Sequence, residues 1–160
     1  NGEIIEGSCS KNVDAPLNEI PVFLRDGAVV PVRLNESLEW GMSMTKSCIS
    51  ALVITPPDRK KLLYCYETST RCSFIPLTPE KYGFEVDING RPETIYIIVY
   101  GINKDVIDEI VINGNKLCEF EMKQCLYDQY GWYYAGMKLI IHIPHSGMLK
   151  VNIRLCEKVL

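Results

Sequence analysis

The sequence lacks several features that would assign a function at once. Its 160 residues hold no apolar run near the roughly 18 residues of a membrane-spanning helix, and no signal peptide opens them. Positive charge is not in excess, since 17 Lys and Arg face 20 Asp and Glu for a net charge of -3. Nucleic-acid binders usually carry a basic patch, whereas the only basic cluster here, Arg59-Lys60-Lys61, is typical of a solvated turn. We therefore predict neither a membrane nor a nucleic-acid partner.

Signatures of catalysis, metal binding and cofactor binding are also missing. The sequence has no Gly-x-Ser-x-Gly elbow and no glycine-rich phosphate loop. Its two histidines, His142 and His145, would point to opposite faces of an extended segment, and Pro144 interrupts pairing between them. No cysteine stands at a zinc-ligand spacing from them. The sequence therefore predicts no metal site, no cofactor and no catalytic residue.

Cysteine is present in an odd number and without any Cys-x-x-Cys pair. Disulfide frameworks suit short secreted chains with a poor core, but 47% of this chain is hydrophobic. We expect seven reduced thiols, which favours a cytoplasmic location while leaving it open. The triplet Asn35-Glu36-Ser37 matches an N-glycosylation sequon, although such triplets arise often by chance. The seven are Cys9, Cys48, Cys65, Cys72, Cys118, Cys125 and Cys156.

The sequence also contains a series of short β-rich segments separated by turn residues. Asn89-Gly90 and Asn113-Gly114 are pairs that favour tight hairpin turns. Several short strands at this spacing predict an all-β fold, an antiparallel β-sandwich of Greek-key or jelly-roll type. The predicted strands are 62–66, 73–75, 82–88, 94–100, 106–112, 116–122, 126–134, 139–143 and 149–155.

The first third of the chain has a different pattern. Asp26-Gly27 lies between the apolar runs 20–24 and 28–32, which predicts a β-hairpin with Pro21 and Pro31 at its strand ends. We predict a short strand within 2–7, and an extended segment in which Leu38, Trp40, Met42 and Met44 share one face. These strands would complete a second small β-domain over 1–48, followed by the sandwich domain over 49–160.

The segment from Asp14 to Pro31 is similar to a known family. It reads Asp-Ala-Pro-Leu-Asn-Glu-Ile-Pro-Val-Phe-Leu-Arg-Asp-Gly-Ala-Val-Val-Pro. It resembles the "dAPLdxIPvFvRxGaiiP" segment of glycoside hydrolase family 31, the α-glucosidase and α-xylosidase family. There this segment lies just past the catalytic (β/α)8 barrel, in the first of two C-terminal β-sandwich domains.

The rest of the chain resembles the distal sandwich of that family more loosely. The matching segments are Leu52-Val53-Ile54-Thr55-Pro56, Val111-Ile112-Asn113-Gly114, and Trp132-Tyr133-Tyr134 with Leu139-Ile140-Ile141-His142-Ile143-Pro144. The acidic Tyr-x-Asp-Asp-Gly of the family is replaced by Tyr64-Cys65-Tyr66-Glu67-Thr68. Any role of the paired aspartates is therefore not carried over to this chain.

The resemblance implies a non-catalytic C-terminal region that supports the barrel of a retaining glycosidase acting on α-glycosidic bonds. The family's nucleophile, in a Trp-x-Asp-Met segment, has no counterpart in this sequence. Near pairs of carboxylates such as Glu119 and Glu121 are interpreted as a solvated face rather than a catalytic pair. The partner implied is the barrel of the parent polypeptide, with contacts in a homo-oligomer as a further expectation.

Two other functions stay open, a stand-alone carbohydrate-binding module and an immunoglobulin-like interaction domain. Aromatic faces can stack on sugars, and Tyr130, Trp132 and Tyr134 are the candidate carbohydrate contacts. Cross-strand packing of the rings in a sandwich is the alternative. In a strand, Trp132 and Tyr134 share one face and Tyr133 takes the other, so the cluster, which includes Tyr127, cannot form a single platform.

Overall fold

The structure is a computed structural model, and it describes most of the predicted sandwich. The described residues are 5, 7, 10, 12–14, 16, 22–35, 38, 49–56, 59–65, 70–77, 83–89, 95–121, 129–143 and 148–156. A search of these residues finds no helix with the length and apolar character needed to cross a membrane.

The described residues form strands that pair into two sheets. In chain order the strands are β1 (Val29–Leu34), β2 (Ile49–Ile54), β3 (Lys61–Cys65), β4 (Thr70–Pro76), β5 (Gly83–Asn89), β6 (Ile95–Tyr100), β7 (Ile107–Ile112), β8 (Asn115–Lys116), β9 (Gly131–Ala135), β10 (Lys138–Ile143) and β11 (Met148–Leu155). A short 3-10 helix, Lys104–Val106, precedes β7.

Sheet I has the order β1-β2-β6-β10-β9, and sheet II has the order β3-β4-β5-β11-β7-β8. The β2 and β6 strands run parallel, and the other strand pairs are antiparallel. The chain passes repeatedly from one sheet to the other, as in Greek-key sandwiches. The prediction of an all-β sandwich is confirmed.

The main core lies between the two sheets. On β5, Phe84, Val86 and Ile88 are buried, while Glu85 and Asp87 between them are half-buried. This alternation follows from the two-residue period of a strand, which sends successive side chains to opposite faces. Sheet II therefore has one apolar face in the core and one face toward solvent, on which polar side chains alternate with the buried ones of β5.

Sheet I is buried on both faces. A second cluster of buried residues covers the face that points away from the main core. Its strands therefore read as continuous apolar runs, and on β10 every side chain from Leu139 to Ile143 is buried. The members of this outer cluster are Leu34, Leu38, Ala51, Val53, Tyr96, Ile98 and Ile140, with Leu24, Val32, Tyr100, Phe120 and Tyr133 packed against them.

Tight turns connect the antiparallel neighbours. Asn113 and Gly114 have φ values of 48° and 86°, and Ile112 pairs with Asn115 across them. Positive φ at both central residues is the mark of a type I′ turn, so the predicted hairpin at Asn113-Gly114 is confirmed. Asn89 ends β5, and Gly90 lies outside the described residues, so that turn stays a prediction.

The predicted N-terminal hairpin is wrong, although its turn is present. Gly27 has a φ of 67°, and the Ala28 amide donates to the Arg25 carbonyl at 3.0 Å. Residues 22–25 do not form a strand, however, and β1 pairs instead with β2, from Val29↔Ile54 to Leu34↔Ile49. An isolated hairpin is marginal in water, whereas β2 offers β1 a place in a large buried sheet. Residues 20 and 21 lie outside the described residues.

The β1 strand belongs to the segment that the sequence assigned to the preceding domain. It is an edge of sheet I among the described strands, and Pro31 is exposed there, as expected for a proline in an edge strand. Six residue pairs join β1 to the first strand of the predicted sandwich domain. The division into 1–48 and 49–160 stays a prediction, and β1 is the element in which the two segments meet.

Two predicted strands are shorter than expected. The segment 116–122 leaves sheet II after Lys116 and reaches the edge of sheet I, where Glu119 forms an isolated bridge with Trp132. The Phe120 amide donates to the Trp132 carbonyl at 2.8 Å, which fixes this crossing. The strand predicted over 126–134 begins at Gly131, and residues 126–128 lie outside the described range.

Two local predictions near the N-terminus, the strand within 2–7 and the extended segment that begins at Leu38, fall mostly on 2–4, 6 and 39–44, which lie outside the described residues. Ile5 is not in a strand, and Leu38 has a φ of 59° in a bend rather than an extended segment. Trp40, Met42 and Met44 lie outside the described residues.

Candidate functional site

The predicted aromatic cluster divides between the two faces of β9. Trp132 is 7% exposed and packs in the main core, and Tyr134 packs against the same core. The Tyr134 hydroxyl donates to the Ile102 carbonyl at 2.7 Å, which satisfies the one polar atom of a half-buried ring. Tyr133 packs with the outer cluster of sheet I. The predicted division of these side chains between two faces is confirmed.

Tyr130 lies just before β9 and is 52% exposed. Its ring meets the ring of His142 edge-on, with centroids 4.9 Å apart. Tyr130 is therefore on the outer side of sheet I, whereas Trp132 and Tyr134 face the main core. The structure thus does not bring the three together as one platform. Their contact with carbohydrate stays a prediction, and Tyr127 lies outside the described residues.

His142 is a packed core residue on the outer face of sheet I. It is 5% exposed, and its ring stacks on Tyr96 with centroids 4.6 Å apart. Nδ1 lies 2.9 Å from the Gln129 carbonyl oxygen, which can only accept, so Nδ1 donates this hydrogen bond. Nε2 is buried and has no hydrogen-bond partner among the described residues. His145 lies outside the described residues. Where the structure describes the chain, no group of three His, Cys, Asp or Glu residues could hold a metal ion.

Three cysteines have described side chains. Cys72 is buried in the main core, and Cys118 and Cys156 are exposed; none of the three is in a disulfide. For these three the predicted thiol state is confirmed. The state of the other four, and the cytoplasmic location that it favours, stay predictions.

Several acidic side chains pair with surface cations. Glu119 Oε1 lies 2.5 Å from Lys104 Nζ, and the hydrogen bond between them raises the pKa of Lys104. Glu109 pairs with Arg154. Glycoside hydrolysis requires two carboxyl groups held across a cleft, about 5 Å apart for retention and about 6.5–9.5 Å apart for inversion. These glutamates serve as ion-pair partners on an open surface instead.

An open depression of about 410 Å³, lined by both polar and apolar side chains, lies on the solvent face of sheet II, and we call it the sheet II cleft. Two rows of side chains cross three strands there, since Ser73 pairs with Asp87 and Asp87 with Lys150. The parallel row is Arg71, Asn89 and Met148. Asn113, Ile88 and Leu149 complete the lining.

Hydrogen bonds fix one side of the sheet II cleft. Asn113 Oδ1 accepts from the Lys150 amide at 2.8 Å, and Asn113 Nδ2 donates to the Met148 carbonyl at 3.3 Å. These two bonds fasten the β7–β8 turn to the start of β11. Lys150 Nζ lies 2.9 Å from Glu85 Oε1, and this hydrogen bond raises the pKa of Lys150.

On the other side of the sheet II cleft, the polar side chains make few hydrogen bonds with the described residues. Ser73 Oγ donates to Asp87 Oδ2 at 3.4 Å, a long bond. Arg71 and Asn89 make no side-chain hydrogen bond or ion pair with the described residues. The amino-acid sequence alone does not indicate this site. The polar residues recur at alternate positions on β4, β5 and β11, but only the strand register shows that they are neighbours.

Apolar side chains are exposed at two places beside these features. On β3, Leu62 is 71% exposed and Tyr64 is 44% exposed; they stand in register with Ser73 and Arg71 of the sheet II cleft. Before β1, Val22 and Phe23 are 52% and 64% exposed, next to Leu24, which packs on the outer cluster of sheet I.

No protein-family model and no curated protein match this chain. Solved structures do match. Two are of a family 31 dextranase of Flavobacterium johnsoniae, one a mutant with isomaltotriose and one with glucose. Each has a TM-score of 0.60 and 17% identity, and covers 89% of this chain and 21% of the dextranase.

A third match is an uncharacterised protein of Listeria monocytogenes EGD-e in complex with glucose, magnesium and calcium. It has a TM-score of 0.68 and 12% identity, and covers 81% of this chain and 13% of that protein. The chain thus spans about a fifth or less of the length of these proteins. At such low identity the likeness is one of fold, and that fold is shared with a small part of a family 31 dextranase.

Proposed function

We propose that this chain is a non-catalytic β-sandwich region of a family 31-like glycosidase, a longer polypeptide that hydrolyses α-glycosidic bonds in a separate barrel. The observation that carries the proposal is the match of 89% of this chain to 21% of a family 31 dextranase. The resemblance of residues 14–31 to a family segment supports it independently, because it rests on sequence rather than on fold.

The role we assign to the chain is to support the catalytic barrel through packing. Val22 and Phe23 are more than half exposed, and they adjoin a segment anchored by Leu24 on the outer cluster of sheet I. Adjacent exposed apolar side chains are a common mark of a contact surface. Contacts between domains of one chain are often modest in area, which suits a small patch of this kind.

Activity measurements on two polypeptides test the proposal. The full-length protein that carries these residues should hydrolyse an aryl α-glucoside or α-xyloside with retention, and the 160-residue chain alone should not. A full-length protein without a barrel and without hydrolytic activity on α-glycosides would refute the proposal. Turnover by the 160-residue chain that was lost on mutating one of its own carboxylates would refute the non-catalytic role.

A substitution in the exposed pair Val22 and Phe23, which we call the apolar patch, tests whether the chain supports the barrel through this surface. Phe23→Ser should lower the melting temperature of the full-length protein and leave that of the 160-residue chain nearly unchanged, because the side chain is 64% exposed in the chain alone. Leu62→Ser is a matched control, since Leu62 is 71% exposed on the other sheet. Equal effects of the two substitutions on the full-length protein would contradict a docking role for the patch.

The stand-alone carbohydrate-binding module stays an alternative because Tyr130 presents an exposed ring. It would require a natural polypeptide that ends close to the sandwich and binds sugar through Tyr130. Light scattering of the purified chain addresses the predicted homo-oligomer in the same preparation.

A further inference from the structure

The sheet II cleft has the construction of a ligand site. Its polar side chains come from alternate positions on three adjacent antiparallel strands, so the backbone hydrogen bonds of the sheet fix their spacing. Directly opposed residues on such strands stand about 5 Å apart, and outward residues of one strand about 7 Å apart. The cleft therefore offers a two-dimensional grid of polar groups rather than a single contact.

The charges of the cleft favour a neutral ligand. Asp87 lies on the middle strand, β5, between Ser73 and Lys150 of one row, and it would repel an anion. Lys150 is already paired with Glu85 at 2.9 Å, which leaves Arg71 as the cation of the cleft without an ion pair among the described residues. One carboxylate and one uncommitted guanidinium nearly cancel, so the site is suited to hydroxyl groups rather than to phosphate.

The hydrogen-bonding capacity fits hydroxyl groups that both donate and accept. Asp87 accepts, Arg71 donates, and the Asn89 amide does both. Neighbouring hydroxyls of a sugar ring can pair with a carboxylate or an amide in two parallel hydrogen bonds, as arginine pairs with carboxylates. Among the described residues, Arg71 and Asn89 make no side-chain hydrogen bond, and Asp87 accepts one long bond of 3.4 Å from Ser73.

Exposed apolar side chains supply the other half of sugar recognition. Met148 is 71% exposed within the cleft, and Tyr64 is 44% exposed on β3 in register with Arg71. A sugar ring has a C–H face as well as hydroxyls, and an amphipathic aromatic ring suits that face. The apolar side chains can therefore contact the C–H face of a sugar ring while the neighbouring polar groups bind its hydroxyl groups.

We propose that the sheet II cleft binds a neutral oligosaccharide. Asp87, Asn89 and Arg71 hydrogen-bond its hydroxyl groups, and Tyr64 packs on the C–H face of one ring. The proposal rests on the proposed function only in the choice of ligand to test. Glucose oligomers are used because a dextranase, a small part of which shares this fold, was solved with isomaltotriose.

Calorimetric titration of the 160-residue chain with isomaltotriose and with maltotriose tests the proposal. We expect binding of at least one trisaccharide, and a loss of affinity of about tenfold or more in Asp87→Asn, Arg71→Ala and Tyr64→Ala. Asp108→Asn is the matched control, because Asp108 is an exposed carboxylate outside the cleft, and it should leave affinity unchanged. Circular dichroism melting verifies that each variant is folded.

Three outcomes would overturn the proposal. The first is no binding of either trisaccharide at millimolar concentration by the folded chain. The second is binding that Tyr130→Ala abolishes and Asp87→Asn leaves intact, which would place the sugar at the aromatic residues of sheet I. The third is tight binding of inorganic phosphate that displaces the sugar. None of these bears on whether the full-length protein has a glycosidase barrel, so the two proposals fail separately.

Discussion

The two sheets of this sandwich share one core but differ on their outer faces. In sheet I the residues Tyr96, Ile98 and Ile140 of the outer face are each 3% exposed or less. In sheet II the outward positions carry Glu85, Lys150 and other polar groups that meet solvent. A sheet with two apolar faces requires cover on both sides, whereas a sheet with one polar face can stand in water. The outer face of sheet I is therefore a packing surface, whereas the outer face of sheet II is accessible to solvent.

That difference agrees with both proposals. The exposed Val22 and Phe23 adjoin the outer cluster of sheet I, through which the chain would meet the rest of a larger enzyme. The sheet II cleft lies on the opposite side of the sandwich, where docking would leave it open.

A lysine at matched outward positions gives the largest contrast. Ile140→Lys places an unpaired charge on the buried outer face of sheet I, where Ile140 is fully buried, and should prevent stable folding. Asn152→Lys, at a half-buried outward position of sheet II beside Glu85, should change the free energy of unfolding by about 0.5 kcal/mol or less. Urea unfolding measures both. Equal effects would mean that the outer faces do not differ.

Loss of Trp132 should weaken the core that both sheets share. Trp132→Ala leaves a cavity where the ring is 7% exposed, and substitutions of this kind cost about 3–5 kcal/mol. Tyr130→Ala, at the exposed position two residues earlier, is the control and should cost much less. An unchanged melting temperature of Trp132→Ala would mean that this ring does not support the core.

A methyl group at Gly83 should disturb the register of sheet II. Gly83 has a φ of 128°, and a Cβ added there would lie 2.0 Å from the Ile153 carbonyl oxygen. Strand β5 would have to move away from β11, so we expect Gly83→Ala to cost about 3 kcal/mol. At Gly101 the φ is also positive, at 79°, but nothing lies within 4 Å of the added Cβ.

The Gly101→Ala control should therefore show only backbone strain, about 1 kcal/mol. Comparing the thermal melting of Gly83→Ala and Gly101→Ala distinguishes the cost of backbone strain from the cost of the steric clash with Ile153. A Gly83→Ala chain as stable as Gly101→Ala would mean that the β5–β11 pairing can give way without loss.

The smallest effect is expected from two exposed ion pairs at high pH. Glu119 raises the pKa of Lys104, and Glu85 raises that of Lys150, above the ordinary 10.5. A raised folded pKa means that the stabilisation is fully present below 10.5 and is lost as the pH rises through the folded value. Both lysines are exposed, so the loss should be small.

Denaturant midpoints at about pH 9 and about pH 11 measure this loss. Other groups titrate in the same range, so the informative quantity is the difference between the unmodified chain and Glu85→Gln or Glu119→Gln. The difference in denaturant midpoint between the unmodified chain and each variant should become smaller at the higher pH, because the lysine then loses its charge. A difference that widens with pH would show that the sign of the coupling is wrong.

The amino-acid sequence determined the features that depend on near neighbours. The Asn113-Gly114 turn follows from the tolerance of both residues for positive φ, and the alternation in β5 and β11 follows from the period of a strand. These local signals were sufficient to predict the all-β sandwich and the division of Trp132 and Tyr133 between two faces. The resemblance of residues 14–31 likewise needed no structure.

The tertiary structure alone decided the features that depend on distant segments. Strand β1 pairs with β2 and not with residues 22–24, because β2 gives it a place in a large buried sheet. The turn predicted at Asp26-Gly27 forms, but no strand precedes it in the described residues. The sheet II cleft depends on the register that brings Arg71, Asp87 and Lys150 together from positions far apart in the chain. A period-two pattern shows which side chains share a face of one strand, but only the pairing of strands shows which of them meet.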